Sequence, residues 1–312
     1  MSEAVSAPPA RPVAVVDGVV LLDKPLGLSS NIALQKVKRL FGARKAGHTG
    51  SLDPLATGLL PVCLGQATRF SGYLLDAAKT YEVSARLGTR TSTGDTEGEA
   101  VETCPWEDIG RDAFAAVLET FRGRIHQVPP MYSALKQGGE RLYRKARRGE
   151  EVERPPRQVE IYELELVAWD PPGFALEVSC SKGTYVRTLV EDIARAAGSC
   201  AHVTALRRVR AGPFAAESMH SLPELEGLAA LGPEALGAVV LSADTALLDL
   251  PAVSLPAEDA LRLVRGQLVD AAPDSAPGLL RAYGPDGFLG LVECSDAARL
   301  RAKRLLDTSG WS

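Results

Sequence analysis

The stretch RKAGHTGSLDPLATGLLPVCLGQATR, Arg44–Arg69, sets a loop marked by glycine and proline directly before an unbroken apolar run. The run LLPVCLG has the length and composition of a strand buried on both faces. The loop carries one acid, Asp53, between Leu52 and Pro54. Asp53 is the only acidic residue in the 52 positions from Lys24 to Leu75, which hold seven basic ones: Lys24, Lys36, Lys38, Arg39, Arg44, Lys45 and Arg69. A carboxylate so placed is either a turn cap, the ordinary use of an Asp-Pro pair, or a nucleophile kept ionised by a fixed cation. Spacing alone leaves both open. A phosphate loop would need a lysine after the last glycine, and G-x-S-x-G is absent. A glycosidase would need a second carboxylate, and none lies nearby in sequence.

Working outward, GVVLLDKP reads as a strand stopped by Pro25. Ser29 or Ser30 caps a helix NIALQKVKRLF, with Ile32, Val37, Leu40 and Phe41 at helical spacing. QATRFSGYLLDAA is expected to form a helix and TYEVSARLG a half-buried strand. A helix from about Asp108 to Phe121 precedes a basic, glycine-interrupted insertion closed by Pro155 and Pro156. Two strands follow, VEIYELELVAW and FALEVSCSKG, then a helix TYVRTLVEDIARAAG and a strand HVTALRRVRAGPF. SLPELEGLAALGPEALGAVVL reads as a helical linker of low polarity, and short strands from about Leu250 as a separate small β module. Strands and helices interleave without the regular repeat of a parallel sheet, so the fold class is α+β.

The 312 residues are 46% hydrophobic and 24% charged, the balance of a soluble globular protein. No apolar run reaches the roughly 18 residues of a membrane span, and no basic segment followed by an apolar one opens the chain, so a cytoplasmic protein with no membrane partner is expected. Residues 1–16, rich in Ala, Pro and Ser, are expected to be disordered. Cys63, Cys104, Cys180, Cys200 and Cys294 are scattered and never form C-x-x-C, which signals neither a disulfide framework nor a zinc site; ordinary reduced cysteines are expected. The net charge of −4 hides an asymmetry, with −7 from Ala211 onward and +3 before it. Phe121–Arg157 alone holds ten basic residues against four acidic ones. Two basic regions on an otherwise acidic chain suggest a footprint for a polyanion.

DKPLGLSS, the stretch quoted first, KTYEVSARLGTRTSTGD, VPPMYSALK, SKGTYVRTLVEDIA and AHVTALRR occur in that order between about Asp17 and Pro213. They closely resemble the signature segments of the bacterial tRNA pseudouridine-55 synthases, the TruB family. The resemblance implies a pseudouridine-synthase fold: a central mixed, mostly antiparallel sheet flanked by helices and loops over 17–245, and a small PUA-like β module over 246–312. It implies isomerisation of uridine 55 in the tRNA T-loop to pseudouridine with no cofactor, metal or guide RNA. The enzyme would act as a monomer on the T-loop and stem, without an obligate protein partner.

By the family's motifs Asp53 is the nucleophile; whether it adds to C6 of the base, attacks C1′ or removes a sugar proton stays open. Arg187 is expected to pair with Asp53 and lower its pKa. Tyr81 is expected to stack on the flipped base, with removal of the C5 proton as an additional role, and Tyr185 and Leu206 to wall the uracil pocket. His48 is expected to support the flipped-out loop of the substrate, and Lys24 to order its own loop rather than do chemistry. Without the motifs, the two tyrosines and Leu206 would read as core, His48 as a hydrogen-bonded loop residue and Arg187 as a solvated helix residue. The insertion, about 129–156, corresponds to the family's mobile thumb. The acidic balance after Leu250 implies only a weak contact of that end with the RNA. Two rivals stand: a guide-dependent rRNA synthase of the archaeal and eukaryotic branch, and a non-catalytic tRNA-binding or folding protein on the same scaffold.

Overall fold

Residues 16–272, 275 and 277–306 are described by a computed structural model. The disorder expected over residues 1–16 falls, Val16 apart, outside the described residues, as do the last six residues. Apolar β1 (Gly18–Lys24) leads into α1 (Ser30–Leu40), which starts where Ser29 Oγ accepts from the Ile32 amide. α1 buries Ala33, Leu34 and Val37 but leaves Ile32 50% exposed, so Ile32 is not part of the apolar stripe expected of it. β2 (Ala46–His48) pairs with β3 (Ala56–Leu64), the strand of the opening stretch, which is buried at eight of nine positions.

The single helix expected over QATRFSGYLLDAA is broken. A 3₁₀ turn over Gly65–Arg69 precedes α2 (Ser71–Asp76), and Phe70 at the junction is fully buried. Ser71 and Gly72 are weak helix formers, so burial of the ring outweighs helix continuity.

β4 (Lys79–Leu87) alternates buried and outward positions, and β5 (Thr89–Thr91) with β6 (Ala100–Thr103) makes a small hairpin after it. α3 (Arg111–Glu119), shorter than expected, leads to β7 (Gly123–Gln127). The basic insertion folds as a hairpin, β8 (Lys136–Gln137) and β9 (Glu140–Arg141), and a short helix α4 (Leu142–Arg147). Long β10 (Arg157–Asp170) and β11 (Gly173–Cys180) follow, then α5 (Val186–Ala196), β12 (Ala201–Ala211), β13 (Phe214–Ala215) and β14 (His220–Ser221).

Among the described residues these strands form a ten-stranded sheet in the order β14-β1-β3-β12-β4-β11-β10-β7, with β2 on β3 and β13 on β12. The pairs β1–β14 and β3–β12 are parallel and the rest antiparallel, the mixed, mostly antiparallel sheet of the expected α+β class. α5 packs on this sheet through Val186, Leu189, Val190 and Ile193, spaced i, i+3, i+4 and i+7. Each buried aliphatic contributes about 1.5–3 kcal/mol, so one charge at Val190 would unseat the helix that carries Arg187.

Two further expectations fail. The supposed linker is α6 (Leu222–Leu231) and α7 (Pro233–Gly237), whose Leu222, Leu225 and Leu236 are buried in the main core. Ser221 and Glu224 form a capping box that starts α6, a local signal of a packed helix. Cys63, Cys180 and Cys294 are free, as expected, but Cys104 and Cys200, also expected to be reduced, are joined as a disulfide with Cα atoms 5.7 Å apart. The chain between them, a sequence separation of 96, is folded back by the sheet, which brings the end of β6 to the start of β12, and spacing carries no trace of that.

The C-terminal module is β15 (Ala252–Ser254), α8 (Ala257–Val264), β16 (Val269–Asp270), β17 (Gly278–Gly284), β18 (Gly287–Cys294) and β19 (Arg299–Leu305), in sheet order β15-β17-β18-β19-β16. It has its own core around Leu263, Leu289 and Val292, yet Leu291 packs with Val19, Leu59 and Phe70 of the main domain. Arg69 donates to the Leu305 carbonyl and Arg304 to the Arg69 carbonyl, both at 2.7 Å. Among the described residues no helix is long and apolar enough to cross a membrane.

Candidate active site

The loop between β2 and β3 is held from three sides. The Ser30 hydroxyl accepts from the Leu52 amide at 2.7 Å and donates to the Leu52 carbonyl at 3.0 Å, while the Gly27 amide donates to the Pro54 carbonyl at 2.8 Å. From β12, Arg208 donates through Nε to the Leu59 carbonyl (2.7 Å) and through Nη2 to the Gly50 carbonyl (3.1 Å). Parallel pairing sets Leu206, Arg207 and Arg208 beside Ala56, Thr57 and Gly58. Gly58 sits at φ +94°, and a Cβ there would lie 2.3 Å from the Arg208 carbonyl, so only glycine lets the two strands approach. Lys24 is fully buried and its Nζ donates to the Leu28 and Pro25 carbonyls at 2.7 and 2.9 Å. Burial pulls its pKa down to about 8.

On this scaffold Asp53 Oδ2 meets Arg187 Nη2 at 2.7 Å. Arg187 rises from the first turn of α5 and is 5% exposed; it also reaches the Tyr132 carbonyl at 2.9 Å, the Thr93 carbonyl, and Asp95 Oδ2 at 3.3 Å. Asp95, 1% exposed in the β5–β6 loop, accepts in turn from the Thr93 hydroxyl and the Glu97 amide. A second carboxylate is therefore present in space although sequence proximity gave none. The pKa expectation is also corrected. Burial holds the Asp53 carboxyl above the usual aspartate range against the pull of Arg187, with Asp95 adding to the rise and Lys24 opposing it. Arg187 both orients Asp53 and pulls its pKa down against burial.

Asp53, Arg187, Tyr81, Tyr185 and Leu206 line one cavity of about 270 Å³. Tyr81 on β4 stands opposite Arg208 on β12. Burial raises the Tyr81 phenol pKa, opposed by the Arg208 charge and hydrogen bond, and burial also raises that of Tyr185. His48 lies instead in an adjoining cleft of about 640 Å³, whose walls include Asp53 and, from the basic insertion, Arg141, Tyr143 and Arg147. Its Nδ1 is buried without a hydrogen-bond partner among the described residues, and burial, with Arg208 nearby, lowers its pKa. Lys24 lines neither space but underpins the loop. Among the described residues no group of three His, Cys, Asp or Glu side chains could hold a metal ion.

Sequence reading missed Ser30 as a loop anchor, Asp95 and Arg208. A signal existed for Arg208, because strand alternation puts it on the face of Leu206. None existed for Asp95, one of several acids in a polar loop. Together the parts make a recess with an oriented carboxylate at its edge, phenols and Leu206 on its walls, and a cationic cleft beside it.

Residues 38–186 match the family described as "TruB family pseudouridylate synthase (N terminal domain)". Residues 187–248 match "tRNA pseudouridylate synthase B C-terminal domain", and residues 251–306 match "Pseudouridine synthase II TruB, C-terminal". The chain is 50% identical over 296 residues to tRNA pseudouridine synthase B of Chromohalobacter salexigens, covering 94% of this chain and 95% of that protein. It is 51% identical to the protein of that name from Nitrosococcus oceani, covering 93% and 95%. Among solved structures it is similar to a chain of "Crystal Structure of a Cbf5-Nop10-Gar1 Complex", at 25% identity and TM-score 0.71, covering 92% of this chain and 84% of that one. Motif order, fold and this identity along nearly the whole chain agree, and the chain belongs to the TruB family of pseudouridylate synthases.

Proposed function

We propose that this enzyme isomerises uridine 55 in the T-loop of tRNA to pseudouridine, with Asp53 as nucleophile, no cofactor and no guide RNA. The observation that carries this reading is the Asp53–Arg187 pair at the edge of a cavity walled by Tyr81, Tyr185 and Leu206. Similarity at 50% identity to proteins named tRNA pseudouridine synthase B supports tRNA as the substrate. The N1–C1′ bond breaks with its electron pair passing to the base, the base turns, C5 bonds to C1′ and loses its hydrogen as a proton, and N1 ends protonated. No water is consumed, so no second acid is required to hydrolyse a glycosidic bond. Asp95, salt-bridged to Arg187 and hydrogen-bonded in its own loop, is engaged elsewhere. Burial raises the Tyr81 phenol pKa above its ordinary value, and the neutral ring serves as a stacking wall. Extruding the base costs a few kcal/mol, offset by stacking and by phosphate contacts from the basic insertion, which we read as a thumb over 129–156. His48 in the cleft beneath that thumb supports the turned-out loop. We place the reaction in the cytoplasm and read the enzyme as a monomer, its C-terminal module as PUA-like.

The test is tritium release from unmodified tRNA carrying 5-tritiated uridine, with no guide RNA or added protein. Wild type is expected to release it, and Asp53→Asn to lose more than about 1,000-fold in rate while still binding tRNA. Release by the Asn variant at the wild-type rate would remove Asp53 from the chemistry. A requirement for guide RNA would favour the rival branch.

A further inference from the structure

Gln127 is the last residue of β7, the edge strand of the main sheet, and the chain leaves it directly for the basic insertion. Its side chain is not directed at solvent; the residue is 2% exposed. The carboxamide instead grips one distant residue at two points: Oε1 accepts from the Tyr185 amide at 2.7 Å, and Nε2 donates to the Tyr185 carbonyl at 3.1 Å. A side chain here makes the paired contacts that a neighbouring strand would make through its backbone.

The residue gripped is the one that needs it. Tyr185 is the N-cap of α5 and has no side-chain cap bond of its own, while its carbonyl also takes the first helical bond, from Leu189, at 3.0 Å. Its ring walls the cavity, and two residues on is Arg187, the partner of Asp53. The stitching runs the other way as well, because Arg187 donates to the Tyr132 carbonyl in the segment that Gln127 introduces. The root of the insertion and the start of α5 are therefore tied to each other at both ends.

We propose that Gln127 is a positioning residue for the reaction: its two-pointed grip on the Tyr185 backbone sets the Tyr185 ring and the Arg187 guanidinium in register with Asp53. The inference rests on the reading of this cavity as the pseudouridine-forming site. It separates Gln127 from a residue that merely fills space, because only the hydrogen-bonding pattern, and not the volume, carries the function.

Two variants of nearly equal size decide it. Gln127→Met keeps the volume and loses both contacts. Gln127→Glu keeps the accepted bond when ionised and both bonds when protonated. In tritium release at saturating and limiting tRNA, Gln127→Met is expected to lower kcat roughly 10- to 100-fold with KM changed less than about threefold, and Gln127→Glu to lose less. A packing role predicts the reverse order, with Gln127→Met the better variant, and that order would overturn the proposal. So would a Gln127→Met effect confined to KM. Hydrogen exchange on the free proteins gives a readout independent of turnover: the amides of residues 183–189 should exchange at least about tenfold faster in Gln127→Met, with other segments unchanged. Unchanged exchange there overturns the proposal even if the wild type fails to release tritium, whereas that failure alone would count against the cavity's assigned reaction. Should Gln127→Met not fold, wild-type kcat in Gln127→Asn, whose shorter amide cannot span both contacts, would be the overturning result.

Discussion

Charge is buried around the loop that carries Asp53 and lies at the surface in the C-terminal module. Lys24, Asp95, Arg208 and Arg187 are 0, 1, 1 and 5% exposed. In the module, the side chains of Arg299 and Asp270 are 44 and 77% exposed, and those of Arg301 and Glu293 are 66 and 40% exposed. Burying an ion is expensive unless hydrogen bonds and opposite charges satisfy it, and apolar side chains of similar size would hold the fold as well. The cluster near Asp53 thus marks a place where geometry is held at a cost in stability, and the module a place where ordinary packing suffices.

The comparison breaks most easily at Arg208. Replacing it with Met leaves the Leu59 and Gly50 carbonyls and the Tyr81 hydroxyl without their donor, at about 1–3 kcal/mol for each buried group, offset in part by relief of arginine desolvation. A net loss of about 3 kcal/mol in urea unfolding is expected. A loss under about 1 kcal/mol would mean that the buried guanidinium is no anchor.

The next effect is on activity. Asp95→Asn removes one of the two carboxylates on Arg187, so the guanidinium still pairs with Asp53 but is less firmly aimed, for an expected rate loss of about 100-fold. The sign of the accompanying pH effect follows from like-charge repulsion. Asp95 raises the Asp53 pKa, so its removal lowers it, and the acid limb of the kcat profile moves to lower pH. An acid limb that stayed in place would uncouple the two acids.

Glu191 stands one turn beyond Arg187 on α5, and burial raises its pKa to about 7 from an ordinary 4.5. A raised carboxyl pKa contributes stability that is fully present below about 4.5 and lost as pH rises through about 7. Glu191→Gln should therefore stabilise the protein at pH 8 by about 2 kcal/mol, allowing for partial exposure, and leave it unchanged at pH 4.5. Equal melting curves for wild type and variant at pH 8 would contradict the buried-charge account of this helix.

The same contrast explains what the sequence made legible. β1, β3, β4 and α5 could be read because burial writes itself into composition and periodicity. The pairing of Asp53 with Arg187 came from motif resemblance, since 134 positions separate them and no local pattern joins them. Asp95 stayed hidden because a polar loop full of acids does not say which one turns inward. Gln127 stayed hidden because a glutamine at a strand end reads as solvated. Cys104 and Cys200, like the packing of α6, are products of long-range closure. In each case tertiary contact, and not local preference, decides the role.

The smallest effect is expected where the comparison calls for none. Asp270 on β16 meets Arg299 Nε at 3.0 Å, a geometry as good on paper as the Arg187–Asp95 pair at 3.3 Å. Its surroundings differ. Water solvates both partners when the pair opens, the attraction is screened by salt, and closing it costs side-chain freedom. Asp270→Asn should change stability by less than about 0.5 kcal/mol, and tritium release should stay at the wild-type rate. Distance alone would predict that this variant and Asp95→Asn are alike; burial predicts that they are not. Measuring both in one buffer, and again at high salt, tests that difference directly, and a loss at Asp270 matching that at Asp95 would show the module's surface charges to be part of the enzyme's working structure.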